Sequence, residues 1–170
     1  RVEELCGLRV PAVLAGRSSP MIVDYRMNAG YIPLDHWVHG PEGGGRNIGE
    51  ACHVYDLFDA LVDGATIQGV TARSIRPASP RWALDDNFVA TIDYADGSLC
   101  TLAYTALGHR DHAKEQMDVF ADGKALHLDD YKELAVAGSR GGGWKAQARD
   151  KGHRAELDAR LAASAPLGFS

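Results

Sequence analysis

NFVATIDYADGSLCTLAYTA, residues 87–106, decides the fold. Phe88, Ala90, Ile92 and Tyr94 alternate with Val89, Thr91 and Asp93, the period of a strand that turns one face to a core. Asp96-Gly97 follows, a pair that tolerates positive φ and reverses the chain in a two-residue hairpin. The return strand sets Cys100, Leu102 and Tyr104 on one face. The device recurs downstream, where the strands predicted at 116–121 and 124–128 flank Asp122-Gly123, and 134–137 reads as one strand more. A strand over 65–76 leads into this run.

Further out the signals change. Residues 21–27 read as a strand bounded by Pro20 and by Asn28-Ala29-Gly30. YIPLDHWVHGPEGGG, residues 31–45, is a long loop rich in aromatics and histidine, the kind that carries function. Residues 46–62 repeat apolar side chains at three- and four-residue steps, with Ile48, Ala51, Cys52, Tyr55, Phe58 and Val62 as the expected core stripe. Asp63-Gly64 ends that helix. The order is strand, helix, a run of antiparallel strands, helix. It predicts an α+β domain: an open, mainly antiparallel sheet with helices packed on one face. The expected layout is a linker-helix remnant over 1–19 (helix over 2–9, Pro11 behind it), a helix-plus-sheet core over 20–140, and a terminal helix over 144–164.

At 170 residues the chain has room for one domain with a sizeable core. A net charge of -5 argues against a nucleic-acid surface, which needs a basic excess. No apolar run is long enough to span a membrane, and RVEELCGLRV has no signal-peptide core. Cys6, Cys52 and Cys100 form neither a disulfide framework nor a zinc knuckle, so a reducing cytoplasm is the expected setting. The missing initiator methionine and the helical opening suggest a piece of a longer chain.

The richest segment runs from Gly43 to Asp56. On an α-helix Arg46, Glu50 and His53 fall within an arc of roughly 60°, opposite the Ile48/Tyr55/Phe58 stripe, with Leu57 and Leu61 on the same side. A second buried contact on that side, a cleft or a partner domain, is the expectation. His53 can move a proton there, tuned by Glu50 or Asp56. The same residues also make ordinary i,i+3 and i,i+4 pairs on a surface helix, and spacing alone favours this second reading. The glycine run is no dinucleotide fingerprint, because Ile48 stands where its third glycine belongs. His36/His39 and His109/His112 lack the frame of a zinc site, so no metal is expected. His109 to Lys114 reads as a solvated turn, His127 as an outward sheet residue, and Trp37 as either core or a stacking platform.

Tyr25-Arg26, Asn28-Ala29-Gly30-Tyr31-Ile32-Pro33, His36-Trp37, Gly43-Gly44-Gly45-Arg46 and Gly49-Glu50-Ala51-Cys52-His53 with Asp56 resemble the C-terminal domain of the glucose-fructose oxidoreductase / inositol dehydrogenase (Gfo/Idh/MocA) family. The resemblance is closest to the branch fused behind an alcohol-dehydrogenase-like region. It implies a dihydrodipicolinate-reductase-like C-terminal domain whose partner, an N-terminal Rossmann domain absent here, binds NAD or NADP. It implies His53 and Glu50 as the catalytic pair, with Gly49 where the family often carries an aspartate. Arg26, Asn28, His36, Trp37 and Arg46 are expected to bind substrate, a sugar, nucleotide-sugar or cyclitol hydroxyl compound. The resemblance also implies a homo-oligomer through the sheet. The family's Glu-Lys-Pro lysine and cofactor glycines are absent, so the chain alone is expected to be inactive. The alternative is a binding or oligomerisation module without chemistry.

Overall fold

A computed structural model describes residues 10–75, 81–138 and 144–147. Eight strands form one sheet: β1 (Ile22–Asn28), β2 (Ile67–Ser74), β3 (Asn87–Tyr94), β4 (Leu99–Thr105), β5 (Glu115–Ala121), β6 (Lys124–Asp129), β7 (Glu133–Ala137) and β8 (Trp144–Gln147). Among the described residues two helices accompany it, α1 (Val10–Leu14) and α2 (Cys52–Leu61), and a π-helical turn, Asn47–Ala51, runs directly into α2. The spatial order is β2-β3-β4-β1-β5-β6-β7-β8.

All neighbours are antiparallel except β1 and β4. That exception follows from the connections. After β1 the chain crosses back through α2 and enters β2 at the far edge, running with β1. Two hairpins then reverse it twice, so β4 arrives beside β1 in the parallel sense. The parallel pair sits at mid-sheet, where Met27 faces Tyr104 and Asn28 faces Thr105. This is the feature of the sheet that the run of hairpin signals did not announce.

Alternation sorts the strands into two faces. Val23, Tyr25, Met27, Ala90, Ile92, Cys100, Leu102, Met117, Val119, Leu126, Leu128, Leu134 and Val136 are buried on the side covered by α1 and α2. There Phe58 meets Tyr25 edge to face at 6.3 Å, and Tyr94 Oη donates to Asp59 at 2.8 Å, tying α2 to β3. The outer face carries Ile22, Arg26, Val89, Thr101, Asp118 and His127. His127 pairs there with Asp118 at 2.7 Å, on the outward side that its alternation predicts. At the β5–β6 turn both Asp122 (φ 50°) and Gly123 (φ 71°) take left-handed backbone, as the primed hairpin turn requires.

Two expectations need correction. The helix occupies its predicted span, and Ala51, Phe58 and Val62 of the expected stripe are buried, but Val54, Leu57 and Leu61 join them in place of the rest. Ile48 is 67% exposed, and Cys52 is exposed as well. The wide turn at 47–51 is the reason: it advances less per residue than an α-helix and rotates everything before Cys52 relative to α2. Second, residues 144–147, assigned to a terminal helix, form the edge strand β8 against β7; the rest of that helix, and the helix over 2–9, lie outside the described residues. Pro11 lies in the first turn of α1, where a proline's missing N–H has no partner to lose.

The corrected phase makes a paired prediction. Phe58→Ala, at a site with no exposure, should cost about 3–5 kcal/mol in urea denaturation. Ile48→Ala should stay within about 0.5 kcal/mol of the parent. Equal losses at both positions would restore the original stripe.

Candidate functional site

The site is organised where the long loop turns into the helix. Arg46, directly before the π-helical turn, is 1% exposed. Its guanidinium lies 5.4 Å from the centre of the Tyr104 ring, and its Nε donates to Tyr104 Oη at 2.6 Å. Tyr104 Oη donates in turn to Glu50. Arg46 stands 3.3 Å from the same carboxylate, and Lys114 Nζ donates to its other oxygen at 2.7 Å. Tyr104 comes from β4, Lys114 from the loop before β5, and Arg46 and Glu50 from the helix start. One carboxylate therefore ties three parts of the chain together.

The charges explain the titration. Burial alone would push the Glu50 carboxyl up; hydrogen bonds from Lys114 and Tyr104, and the charges of Lys114 and Arg46, outweigh it and hold the group below its ordinary value of 4.5. Burial, with the bond to the Glu50 carboxylate, pushes the Tyr104 phenol up, so it stays protonated and serves as a donor. Arg46 Nη1 and Nη2 are buried with no hydrogen-bond partner.

Asn28 closes β1 and holds the next loop. Its Nδ2 donates to the carbonyls of His109 (2.8 Å) and His112 (3.3 Å), and its backbone N–H donates to Lys114 O at 2.7 Å. The Asn28 Oδ1 is buried and unpartnered. A cleft of about 440 Å³ opens here, bounded by Asn28, Gly30, Arg110, His112, Lys114 and Asp129 among others. A second hollow, of about 670 Å³, lies at the other end of β1 between Pro20 and the Asp122-Gly123 turn, away from these charged groups.

The predicted residues are only partly brought together. Arg46 and Glu50 meet directly. His53 is exposed on the first turn of α2 and makes no hydrogen bond or ion pair among the described residues. Arg26 is not with them: it follows the outer-face alternation of β1 and bonds Gln116 there. His36 is exposed, its Nδ1 accepting from Val38 N–H at 3.3 Å to cap the turn at Trp37–His39. Trp37 is 62% exposed and fills no core; its ring lies 5.7 Å from that of His36. Tyr31, Leu34, Leu84 and Leu107 are also exposed, Tyr31 and Leu34 on the same loop as Trp37. Two members of the cluster were not read as site residues. Tyr104 had been placed in a core face, where a buried hydroxyl is itself a sign that a polar partner waits. Lys114 had been placed in a solvated turn.

The fit to a nicotinamide cofactor can be tested on these residues. A dinucleotide pyrophosphate is held by a glycine turn leading from a strand into a helix. Gly43-Gly44-Gly45 follows an irregular loop instead, and Gly45 (φ 80°) packs so close to the Asp85 carboxylate that an added Cβ would collide with it. This glycine run therefore does not fit that group, and an acidic neighbour would repel its phosphates.

No protein-family model and no curated protein matches the chain. Solved structures do. An inositol dehydrogenase homologue from Azotobacter vinelandii, complexed with NAD+, superposes with a TM-score of 0.65 at 16% identity, over 82% of this chain and 40% of that one. A UDP-N-acetylglucosamine 3-dehydrogenase from Acidithiobacillus ferrooxidans gives 0.65 at 18% identity, over 88% and 46%. An oxidoreductase from Agrobacterium radiobacter, in complex with NAD+, L-tartaric acid and magnesium, gives 0.65 at 17%, over 92% and 45%. At such identities the likeness is one of fold. The chain spans less than half the length of each of these structures.

The lowered Glu50 pKa fixes the sign of a pH effect. Its contribution is fully present above the ordinary carboxylate value and is lost as pH falls through the folded-state value. Thermal melts of the parent and of Glu50→Gln should therefore differ most above pH 4.5 and converge as the pH is lowered. Melting curves separated by the same amount at every pH would contradict the charge assignment.

Proposed function

We propose that this chain is the substrate-side domain of a NAD(P)-dependent oxidoreductase acting on a hydroxyl of a sugar, nucleotide-sugar or cyclitol, with its cofactor held by an N-terminal Rossmann domain of a longer protein. The fold assignment that goes with this reading is the dihydrodipicolinate-reductase-like C-terminal domain of the Gfo/Idh/MocA family. The observation that carries it is His53: an exposed imidazole without a partner among the described residues, one turn beyond a fixed carboxylate, on a fold shared with an NAD+-complexed inositol dehydrogenase homologue and a UDP-N-acetylglucosamine 3-dehydrogenase.

Oxidising a secondary alcohol releases the hydroxyl proton, and an imidazole takes it near neutral pH. His53 is the base. Glu50, held by Lys114 and Tyr104, fixes the helix start from which His53 projects. Asn28 borders the cleft at the end of β1, and the exposed His36 and Trp37 of the following loop are the further groups assigned to substrate. Arg46 works beneath that surface as a positioning residue for Glu50, and Arg26 serves the outer face. The exposed Tyr31, Leu34 and Trp37, close together on the loop after β1, offer the surface on which the cofactor domain docks, since exposed apolar side chains grouped on one loop mark a contact.

A second reading is a module for binding or self-association without chemistry. The outer sheet face favours it, because Ile22, Val89 and Phe120 are exposed there, Ile22 directly beside Phe120.

One experiment separates the two. In the full-length protein His53→Ala should lower turnover by roughly 10²–10⁴-fold and leave cofactor affinity nearly unchanged. Turnover reduced less than about threefold would remove His53 from the chemistry and leave the second reading standing.

A further inference from the structure

The loop ahead of β3 meets the aromatic loop at a cluster that the proposed oxidoreductase chemistry does not use. His39, the last residue of the Trp37–His39 turn, has a side chain only 6% exposed, and neither ring nitrogen has a hydrogen-bond partner. Opposite it lies Asp86, its side chain 2% exposed. Asp86 Oδ2 accepts from Ala83 N–H at 2.8 Å, while Oδ1 is buried and unpartnered. The gap from His39 Nε2 to Asp86 Oδ1 is 3.9 Å, too long for a hydrogen bond. Asp85 completes the group: one donor atom from each of the three residues lies within 4.8 Å of the others. Among the described residues no lysine or arginine pairs with either aspartate.

Buried imidazole nitrogens and carboxylate oxygens are rarely left without partners. Here two such atoms, His39 Nε2 and Asp86 Oδ1, face one another beside the Asp85 carboxylate, and both aspartates are fixed from behind. Ala106 N–H donates to Asp86 O at 3.0 Å, and Asn47 N–H donates to Asp85 Oδ2 at 3.4 Å. Two carboxylates and a neutral imidazole carry two negative charges, which a divalent cation neutralises. One nitrogen with hard oxygens suits a borderline ion; calcium and magnesium favour oxygen alone.

We propose that His39, Asp85 and Asp86 bind a divalent transition-metal ion of the zinc type. The ion clamps the Trp37–His39 turn, the glycine run and the loop ahead of β3 to one another. Metal bonds of about 2.0–2.2 Å ask the three donors to close in by small side-chain rotations. Asp85, only partly buried, leaves a side open to water.

The test uses the metal alone. The chain is stripped with a chelator and titrated with zinc chloride by calorimetry, and cobalt(II) is followed by its visible absorption. The expectation is one ion per chain and a zinc-dependent rise in melting temperature. His39→Gln and Asp85→Asn should each weaken binding roughly tenfold or more, and His109→Gln, at an exposed histidine, should leave it unchanged. Asp85→Asn keeps the test open if a change at buried Asp86 prevents folding. A folded parent that shows no saturable binding at millimolar zinc overturns the proposal. So does binding that is undiminished in His39→Gln, or a His39→Gln variant that only loses stability while the parent takes up no metal.

Discussion

A buried arginine governs the geometry of this domain. Arg46 has its charge enclosed at the junction of loop and helix, and a buried charge is tolerated only when it is paired. Its partners are supplied at a distance: the Tyr104 ring and hydroxyl from mid-sheet, and the Glu50 carboxylate from the following turn. Satisfying Arg46 seats the helix start against β4. The chain accommodates that seat by widening one turn into the π form, and the wide turn sets the phase of α2. With that phase Val54, Leu57, Phe58 and Leu61 face the sheet, while Ile48, Cys52 and His53 face outward.

The parallel pairing of β1 and β4 is the second half of the same arrangement. It brings Tyr104 level with Met27, one residue short of the end of β1, where Asn28 fixes the loop that carries Lys114. Glu50 thus receives donors from two separate strands' ends. Removing the charge balance at this carboxylate would loosen the helix start and the 105–114 loop together. The proposed proton transfer at His53 depends on that rigidity, because a general base works only when it is held within reach of the proton it takes.

Much of this was legible in the sequence. Seven of the strands sit within a few residues of where period-2 alternation and the Asp-Gly turns place them, since a strand that buries one face must alternate. The helix span was equally readable. Its phase was not, because a wide turn leaves no mark in apolar spacing; Ile48 looks as periodic as Phe58. Arg46 and Glu50 were read as neighbours, but on the wrong side of the helix. The cluster itself was hidden: Tyr104 is 58 residues from Arg46, and Lys114 is 64 from Glu50. Contacts across such separations come from strand order, and the hairpin signals specify local reversals without saying that β4 returns beside β1. Asp85 and Asp86 escaped for the same reason, being unremarkable until the aromatic loop brings His39 to them.

The account stands on Arg46 being enclosed and held by Tyr104. Exchange of arginine Nε–H protons, followed by nitrogen-edited NMR, tests this most directly. Arg46 should give a slowly exchanging, shifted Nε–H signal, distinct from that of exposed Arg73, and Tyr104→Phe should make it exchange rapidly. If every arginine Nε–H exchanges at the rate of a solvent-exposed side chain, or if the protected signal survives Tyr104→Phe unchanged, Arg46 does not hold the helix to the sheet.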